Sequence, residues 1–410
     1  MSEKRAGDCS GSCLICGRCF NFPILDEFKP FYKPRSRKYP RKHLKLRGYG
    51  IAVDLGTTTI VLALLEPGAG KIIARHSFVN PQLAYGADVI SRINSANNGS
   101  LKKMQCAVSQ SIIDGIGTML ETHEEKKRQN RTGLTGLSFP SETVIAGNTT
   151  MIHLLLGLSC ETLGIFPFKP EYSLKDTYTY DEIFAHCNPS LLIPDTSLII
   201  HIIPWFSAFA GGDILAGLLS VMPSGIKKFI LVDLGTNGEI ALFHDGNVTV
   251  TSAAAGPAFD NAAQTIGEMA RLIREGEADG SGLLKSCSQG IFTQKKVRDL
   301  QLAKSAVRSG IEILLKDAGM NYDSLDALFL AGGLGQAMNA EDAQTIALIP
   351  KELSGKTRAV GNSSLAGAVR LMLSPDDTVK DMQTLLKNAK EINLAEDPRF
   401  NDMFARYMFF

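Results

Sequence analysis

The tightest constraint on this chain is a strand and turn that occurs twice. Residues 50–59 read G-I-A-V-D-L-G-T-T-T, and residues 229–240 read F-I-L-V-D-L-G-T-N-G-E-I. Each is a short apolar run that ends in an aspartate, a glycine and a hydroxyl residue. Such a run, bounded by glycine, predicts a buried strand entering a tight turn. A carboxylate at the strand end can hold a hydrated Mg²⁺. Gly56 and Gly235 let the backbone approach a phosphate closely, and Thr57, Thr58, Thr59 and Thr236 offer hydroxyls and N–H groups to it. One such turn is common. Two of them, with Asp54 and Asp233 about 180 residues apart, predict related half-domains facing each other across a nucleotide.

Composition fits two lobes. A chain of 410 residues is long for one core, and 44% hydrophobic with 21% charged is ordinary globular usage. A net charge of +1 gives no general case for nucleic acid or a membrane surface. No apolar run approaches the ~18–20 residues that span a bilayer. The opening M-S-E-K-R-A-G-D-C has no apolar signal region, so a cytoplasmic location is expected.

Cysteine usage is lopsided. Cys9, Cys13, Cys16 and Cys19 form C-x3-C-x2-C-x2-C, while Cys106, Cys160, Cys187 and Cys287 are scattered. In a reducing compartment the cluster suggests metal rather than disulfides. Four close thiolates suit one small soft centre, and two-residue spacers favour an iron–sulfur cluster. Structural zinc more often uses two Cys pairs separated by a longer loop, and it stays open as the alternative. Residues 21–47 follow as a Pro-broken tether, basic and without acids from Lys29 onward. A solvated linker is the plain reading; a patch that docks an acidic redox partner is the functional one.

Further along, Ala87–Ile93 predict an amphipathic helix, as do residues 101–122. A strand at Glu142–Ala146 runs into Gly147-Asn148-Thr149 and a helix over Ile152–Leu158. That turn is either a phosphate contact at a helix N-terminus or simple capping by Asn148 or Thr149. His153 reads as a core or cap histidine. Residues 205–219 predict a helix with a small-residue stripe at Ala208, Gly211, Gly212 and Ala216, suited to a hinge. Asp213 on it is a candidate for orienting water or metal, or a plain cap. Asp233, Gly235, Thr236, Asn237 and Glu239 form the second polar tip, where a carboxylate can orient water. A helix over 297–318 carries a stripe of Val297, Leu300, Leu302, Ala303, Ala306, Ile311 and Leu314. The strand Ala327–Ala331 ends in Gly332, Gly333 and Gly335, which permit backbone contact with adenosine. A second small-residue helix lies in 359–374, and 376–410 read as a helix and an exposed end.

This ordered set resembles the actin-like ATPase superfamily of acetate and sugar kinases, heat-shock chaperone ATPases and actin. The motifs N-P-Q-x-x-x-G-A-D-V-I-S-R-I, G-N-T-T-M-x-H-L-L-L-G-L, V-D-L-G-T-N-G-E-I, L-A-G-G-L-G, V-G-N-S-S-L-A-G-A and D-P-R-F-N narrow the resemblance to the reductive activators of corrinoid proteins. The resemblance implies an α/β chain of two ribonuclease-H-like, actin-type ATPase lobes around a nucleotide cleft, after a short Cys-rich extension. Residues 1–47 are then the head and tether, 48–222 the first lobe and 223–410 the second. It implies ATP and Mg²⁺ as ligands, and ATP hydrolysis coupled to an electron passing from an iron–sulfur centre to cobalt(II) of a corrinoid protein or corrinoid-dependent methyltransferase. Asp54, Asp233, Glu239 and Asp213 would be catalytic, the glycines and hydroxyl residues named above would hold nucleotide, and the four clustered cysteines would hold metal. Many relatives carry a plant-type ferredoxin domain; the compact motif here points to 4Fe–4S in preference to 2Fe–2S. A homodimer is compatible with this reading. Rival readings are an ATP-driven activator of another low-potential enzyme, a small-molecule kinase using Asp88 or Asp213 as base, and a regulatory ATPase with a zinc head.

Overall fold

The computed structural model describes residues 48–66, 71–130, 140–170, 172, 174–175, 177–185, 187, 198–259, 262–285, 293–332 and 339–410. The four-cysteine head, the basic tether, Cys287, Gly333 and Gly335 lie outside them.

Apolar runs with β-branched residues form two six-stranded mixed sheets, which include the strands expected at 50–59, 229–240, Glu142–Ala146 and Ala327–Ala331. The first contains β1 (Gly50–Leu55), β2 (Thr59–Leu65), β3 (Ile72–Val79), β4 (Glu142–Gly147), β5 (Tyr178–Thr179) and β6 (Ile199–Ile202) in the order β3-β2-β1-β4-β6-β5. The second contains β7 (Lys228–Leu234), β8 (Gly238–His244), β9 (Asn247–Ala253), β10 (Ala327–Ala331), β11 (Thr357–Gly361) and β12 (Ala389–Glu391) in the order β11-β10-β7-β8-β9-β12. Taken from β9, the second sheet retraces the first: β9-β8-β7-β10-β11 against β3-β2-β1-β4-β6. Pair directions agree as well. β1 and β7 each lie antiparallel to the following strand and parallel to β4 and β10 respectively. The sequence repeat is therefore a structural duplication.

Strand periodicity decides what faces what. Successive side chains point to opposite sides. Ile51, Val53 and Leu55 pack into the outer core with Met104, Val108, Ile112 and Ile116 of a long helix, α2, which follows the short α1 (Val89–Ser95) and spans Leu101–Asn130. Ala52 faces the other way, so Asp54 does too. In β7, Ile230, Val232 and Leu234 join the outer core of the second lobe, and Phe229 and Leu231 join the inner one, taking Asp233 with them. Both aspartates thus lie on the sheet faces turned toward the shared inner core.

That inner core is built around two helices. After α3 (Thr149–Leu156), helix α4 (Gly212–Val221) leads from the first sheet into β7. After α5 (Ala262–Arg274) and α6 (Gln294–Asp317), helix α7 (Ser363–Leu373) leaves β11 and packs back on α4. The expected small-residue contact is present. A Cβ on Gly367 would stand 2.0 Å from the Ala216 carbonyl oxygen, and one on Gly217 would stand 2.8 Å from Leu231 Cδ2 and Ser363 Oγ. Gly367→Ala is expected to force the helices apart and to cost at least about 1–3 kcal/mol of stability, measured as a lowered urea midpoint. An unchanged midpoint would show that this seam is not under compression.

Several expected boundaries move, each for a local reason. The helix expected from Trp205 begins at Gly212. Ser207 Oγ accepts from Phe209 N and Ala210 N in a turn, and Gly211 and Gly212 press against the Asn148 and Ile203 backbones, where no Cβ fits. The helix expected from Ala87 starts at Val89, because Asp88 and Ser91 form a capping box. The helix expected from Ile152 starts at Thr149, with Asn148 as its cap. The helix expected over 101–122 continues to Asn130, and the one over 297–318 starts at Gln294 behind a Thr293 cap. Leu302 is off its buried stripe, 39% exposed. The segment after 376 contains the expected helix, and its end is only partly exposed. It forms α8 (Pro375–Lys387), β12 and α9 (Phe400–Arg406), and its last residues dock on α6, where Lys304 and Ser305 donate to the Phe409 and Phe404 carbonyls. Cys106 and Cys187, left as scattered cysteines by the sequence, are joined in a disulfide across 81 positions. Among the described residues no helix is long and apolar enough to cross a membrane.

Candidate functional site

The Gly56 turn is fixed from beneath. A Cβ at Gly56 would lie 2.5 Å from the Thr59 carbonyl oxygen, so no other residue fits without a shift. Asn80 Nδ2 donates to the Gly56 carbonyl at 2.9 Å, and Asn148 Nδ2 donates to Thr57 Oγ1 at 3.0 Å. Asn148 also caps α3 through the Met151 N–H, so the turn at Gly147–Thr149 both caps and braces. Gly147 sits where a Cβ would be 2.8 Å from the Leu55 carbonyl, bringing the two turns together. Thr149 Oγ1 donates to the Ser207 carbonyl at 2.5 Å.

The two repeated turns meet. Thr58 Oγ1 and Thr236 Oγ1 share a hydrogen bond of 3.0 Å between residues 178 positions apart. Gly235 N closes the second turn onto the Asn237 carbonyl at 2.9 Å. In the antiparallel pair β7/β8, Asp233 lies opposite Glu239. Gly332, at φ 94°, is the residue whose missing side chain leaves room for Asp233; a Cβ there would lie 2.7 Å from its Oδ1. Asp213 stands in the first turn of α4, with Oδ1 accepting from Ile214 N at 2.8 Å.

Asp54, Asp213, Asp233 and Glu239 belong to one electrostatic site. Burial raises the Asp213 carboxyl to about 7, with the Asp54 charge adding to it. Burial raises Asp233 to about 8, with Asp213 and Asp54 adding. Glu239 stands well above its ordinary value through burial, Asp213 and Asp233. Burial also raises Asp54, opposed by hydrogen bonds from Ser364 and Asn362. No lysine or arginine among the described residues contributes to any of the four shifts. Buried negative charge without a counter-ion calls for protons or a bound cation. Yet among the described residues no three such side chains converge to enclose a metal by themselves. The donor set therefore fits Mg²⁺ held through water and phosphate oxygens.

This clustering has a consequence for stability. A carboxyl that titrates at 3.8 unfolded and near 7 folded binds more protons in the folded state between those values, so folding loses stability as pH rises through that window. Nucleotide-free Asp213→Asn is therefore expected to melt higher than wild type, by a margin that widens from about pH 5 to about pH 8. A margin that narrows with pH in thermal melts would overturn the cluster.

The other candidates settle differently. Asp88 caps α1 at an exposed position and is not among the influences on the cluster. His153 is buried, its Nδ1 2.9 Å from the Ser159 carbonyl and its ring beside Trp205 and Tyr172, which is a core role. Three residues carry contacts to the turns that the sequence reading left without a role: Asn80, Asn362 and Ser364. Asn80 belongs to N-P-Q, and the other two to a polar N-S-S that opens a small-residue helix just as G-N-T-T does. That parallel was the available signal.

Two duplicated sheets, joined through paired helices and bearing an acidic turn each, define an actin-like α/β protein of the ASKHA type. The RACo middle region profile matches residues 49–223, and the C-terminal domain of RACo, the ASKHA domain, matches residues 227–273 and 273–410. The chain belongs to the RACo family, the reductive activators of corrinoid proteins. It is 29% identical to the corrinoid activation enzyme RamQ of Eubacterium limosum over 87% of this chain and 69% of that protein. It is 23% identical to a [Co(II) methylated amine-specific corrinoid protein] reductase of Methanosarcina barkeri, over 87% of this chain and 76% of the relative. A solved reductive activator for a corrinoid, iron–sulfur protein superposes with a TM-score of 0.76 at 24% identity, over 89% of this chain. This chain spans 66% of the length of that one.

Proposed function

We propose that this protein is an ATP-dependent reductive activator that returns an inactivated cobalt(II) corrinoid protein to cobalt(I). The observation that carries this is the acidic site assembled from two duplicated turns, in a chain of the RACo family. Asp54 and Asp233 would hold Mg²⁺ with its phosphate; Thr57, Thr58, Thr59, Asn148, Thr149, Gly235, Thr236 and Asn237 would line the phosphate, and the glycine turn that begins at Gly332 would receive adenosine. Asp213, raised to about 7 by burial and the Asp54 charge, and Glu239, raised by burial and by Asp213 and Asp233, would orient or deprotonate water.

Four thiolates in C-x3-C-x2-C-x2-C are the donor chemistry of an iron–sulfur centre, 4Fe–4S in preference to 2Fe–2S, held by Cys9, Cys13, Cys16 and Cys19. Such a centre supplies one electron at low potential. Residues 1–47 then act as donor head and tether, 48–222 and 223–410 as the two lobes. Closing the lobes on ATP favours the complex with one cobalt state, and hydrolysis releases it. The partner is a corrinoid protein or its methyltransferase, met in the cytoplasm.

The test is anaerobic. Iron with acid-labile sulfide, a visible band that bleaches with dithionite, and ATP-dependent appearance of cobalt(I) in an added corrinoid protein are expected. Zinc without sulfide, and no cobalt(I), overturns the redox reading and leaves a regulatory ATPase.

A further inference from the structure

The structural duplication pairs the first turn of α4 with that of α7. Gly211-Gly212-Asp213 and Asn362-Ser363-Ser364 occupy the same positions, the cap and the first two residues, of the helices that follow β6 and β11. In one half the third position is an acid, Asp213, whose charge pushes up Asp233. In the other half it is a hydroxyl, and the contact is attractive. Ser364 Oγ donates to Asp54 Oδ1 at 2.7 Å, and Asn362 Nδ2 donates to Asp54 Oδ2 at 2.6 Å. Both oxygens of Asp54 are therefore held by residues more than 300 positions away, arriving from the second sheet. Asn362 is fixed in turn, since its Oδ1 caps α7 through Leu365 N at 2.7 Å, and Ser364 is only 3% exposed.

We infer that Asn362 and Ser364 are positioning residues that set the orientation of the Asp54 carboxylate toward Mg²⁺ and so tie the metal site to the hinge helix α7. Within this arrangement the two halves of the duplication have different tasks. The Asp54 half presents one carboxylate held at both oxygens, whereas Asp213, at the matching position of α4, accepts from Ile214 N of its own helix. The hinge seam at Gly367 and Ala216 lies within one turn of Ser364 along the same helix, so movement of α7 moves the carboxylate grip.

This inference rests on the ATPase reading, and the test separates the two. ATP turnover by the full chain is measured against ATP and against Mg²⁺ for wild type, Ser364→Ala, Ser364→Thr and Asn362→Ser. Asn362→Ser keeps a capping oxygen for α7 but withdraws the amide donor, so it spares the helix. Ser364→Ala and Asn362→Ser are expected to lower kcat by about ten- to a hundredfold and to raise the Mg²⁺ needed for half-maximal turnover, with KM for ATP within about threefold. Ser364→Thr recovers most of the loss. Wild-type kcat and an unchanged Mg²⁺ requirement in both variants overturn the positioning role and leave the ATPase reading intact. A wild-type chain that binds MgATP without turning it over overturns the ATPase reading alone; Mg²⁺-dependent ATP affinity then becomes the readout, and equal affinity in the variants overturns the positioning role. A wild-type chain that binds no MgATP overturns both.

Discussion

Asp54→Ala and Asp233→Ala are each expected to lower MgATP turnover by about 10²–10³-fold or more while the chain keeps its fold. The two aspartates end paired strands whose other residues make the outer and inner cores, so removing either side chain leaves both sheets intact. The variants differ in a second, diagnostic way. Asp233→Ala removes a carboxyl that burial and two neighbouring acids hold at about 8, so the nucleotide-free protein gains stability near neutral pH. Asp54→Ala also relieves burial, but it strands the Asn362 amide and the Ser364 hydroxyl, at a cost of about 1–3 kcal/mol for a buried donor left unmade. Asp233→Ala is therefore the more stable of the two in thermal melts at about pH 8, although both lose turnover. Wild-type turnover in the Asp54→Ala/Asp233→Ala double variant would remove nucleotide hydrolysis from these turns altogether.

Much of this was legible because the decisive pattern is local and repeated. D-L-G-T after an apolar run specifies a strand, a turn and a carboxylate whatever surrounds it, and its second copy implies the duplicated sheets. Period two along β1 and β7 then dictates that Asp54 and Asp233 turn toward the same core. Illegible parts depend on partners remote in sequence. Nothing local to Ser364 says that its hydroxyl meets Asp54, 310 positions away, and nothing at Ser207 says that it contacts Glu391 of the other sheet. Helix ends failed for a related reason. Residues 205–211 have a helical pattern of small and apolar residues, but Gly211 must approach the Asn148 backbone, and that tertiary contact decides the boundary. Leu302 follows the same logic: its neighbours Gln301 and Ala303 are buried by the elements packed around α6, while Leu302 is 39% exposed. The Lys304 contact with the Phe409 carbonyl needs a chain that returns across more than 100 residues, so the end looked exposed in sequence.

Cys13→Ser with Cys16→Ser is expected to separate the two halves of the proposed activity, leaving ATP turnover within about twofold and abolishing reduction of the corrinoid protein. The separation follows from chemistry and from chain order. Thiolate is a soft donor to iron, and a serine hydroxyl at the same place is a hard, protonated one, so two substitutions among four ligands leave no complete centre. The duplicated turns begin at Asp54, beyond the basic tether, and use none of these cysteines. Energetics makes the loss complete rather than partial. For a one-electron step, 59 mV is tenfold in equilibrium, so a donor a few hundred millivolts too weak leaves cobalt(II) effectively unreduced whatever ATP does at the lobes. The measurement is a paired anaerobic assay on one preparation, with phosphate release alongside the cobalt(I) absorption of an added corrinoid protein. Retained cobalt(I) formation in the variant would take the electron route away from the cysteine head. Loss of phosphate release together with cobalt(I) would mean that head and lobes act as one unit, because the ATPase would then depend on residues that contribute nothing to its acidic site.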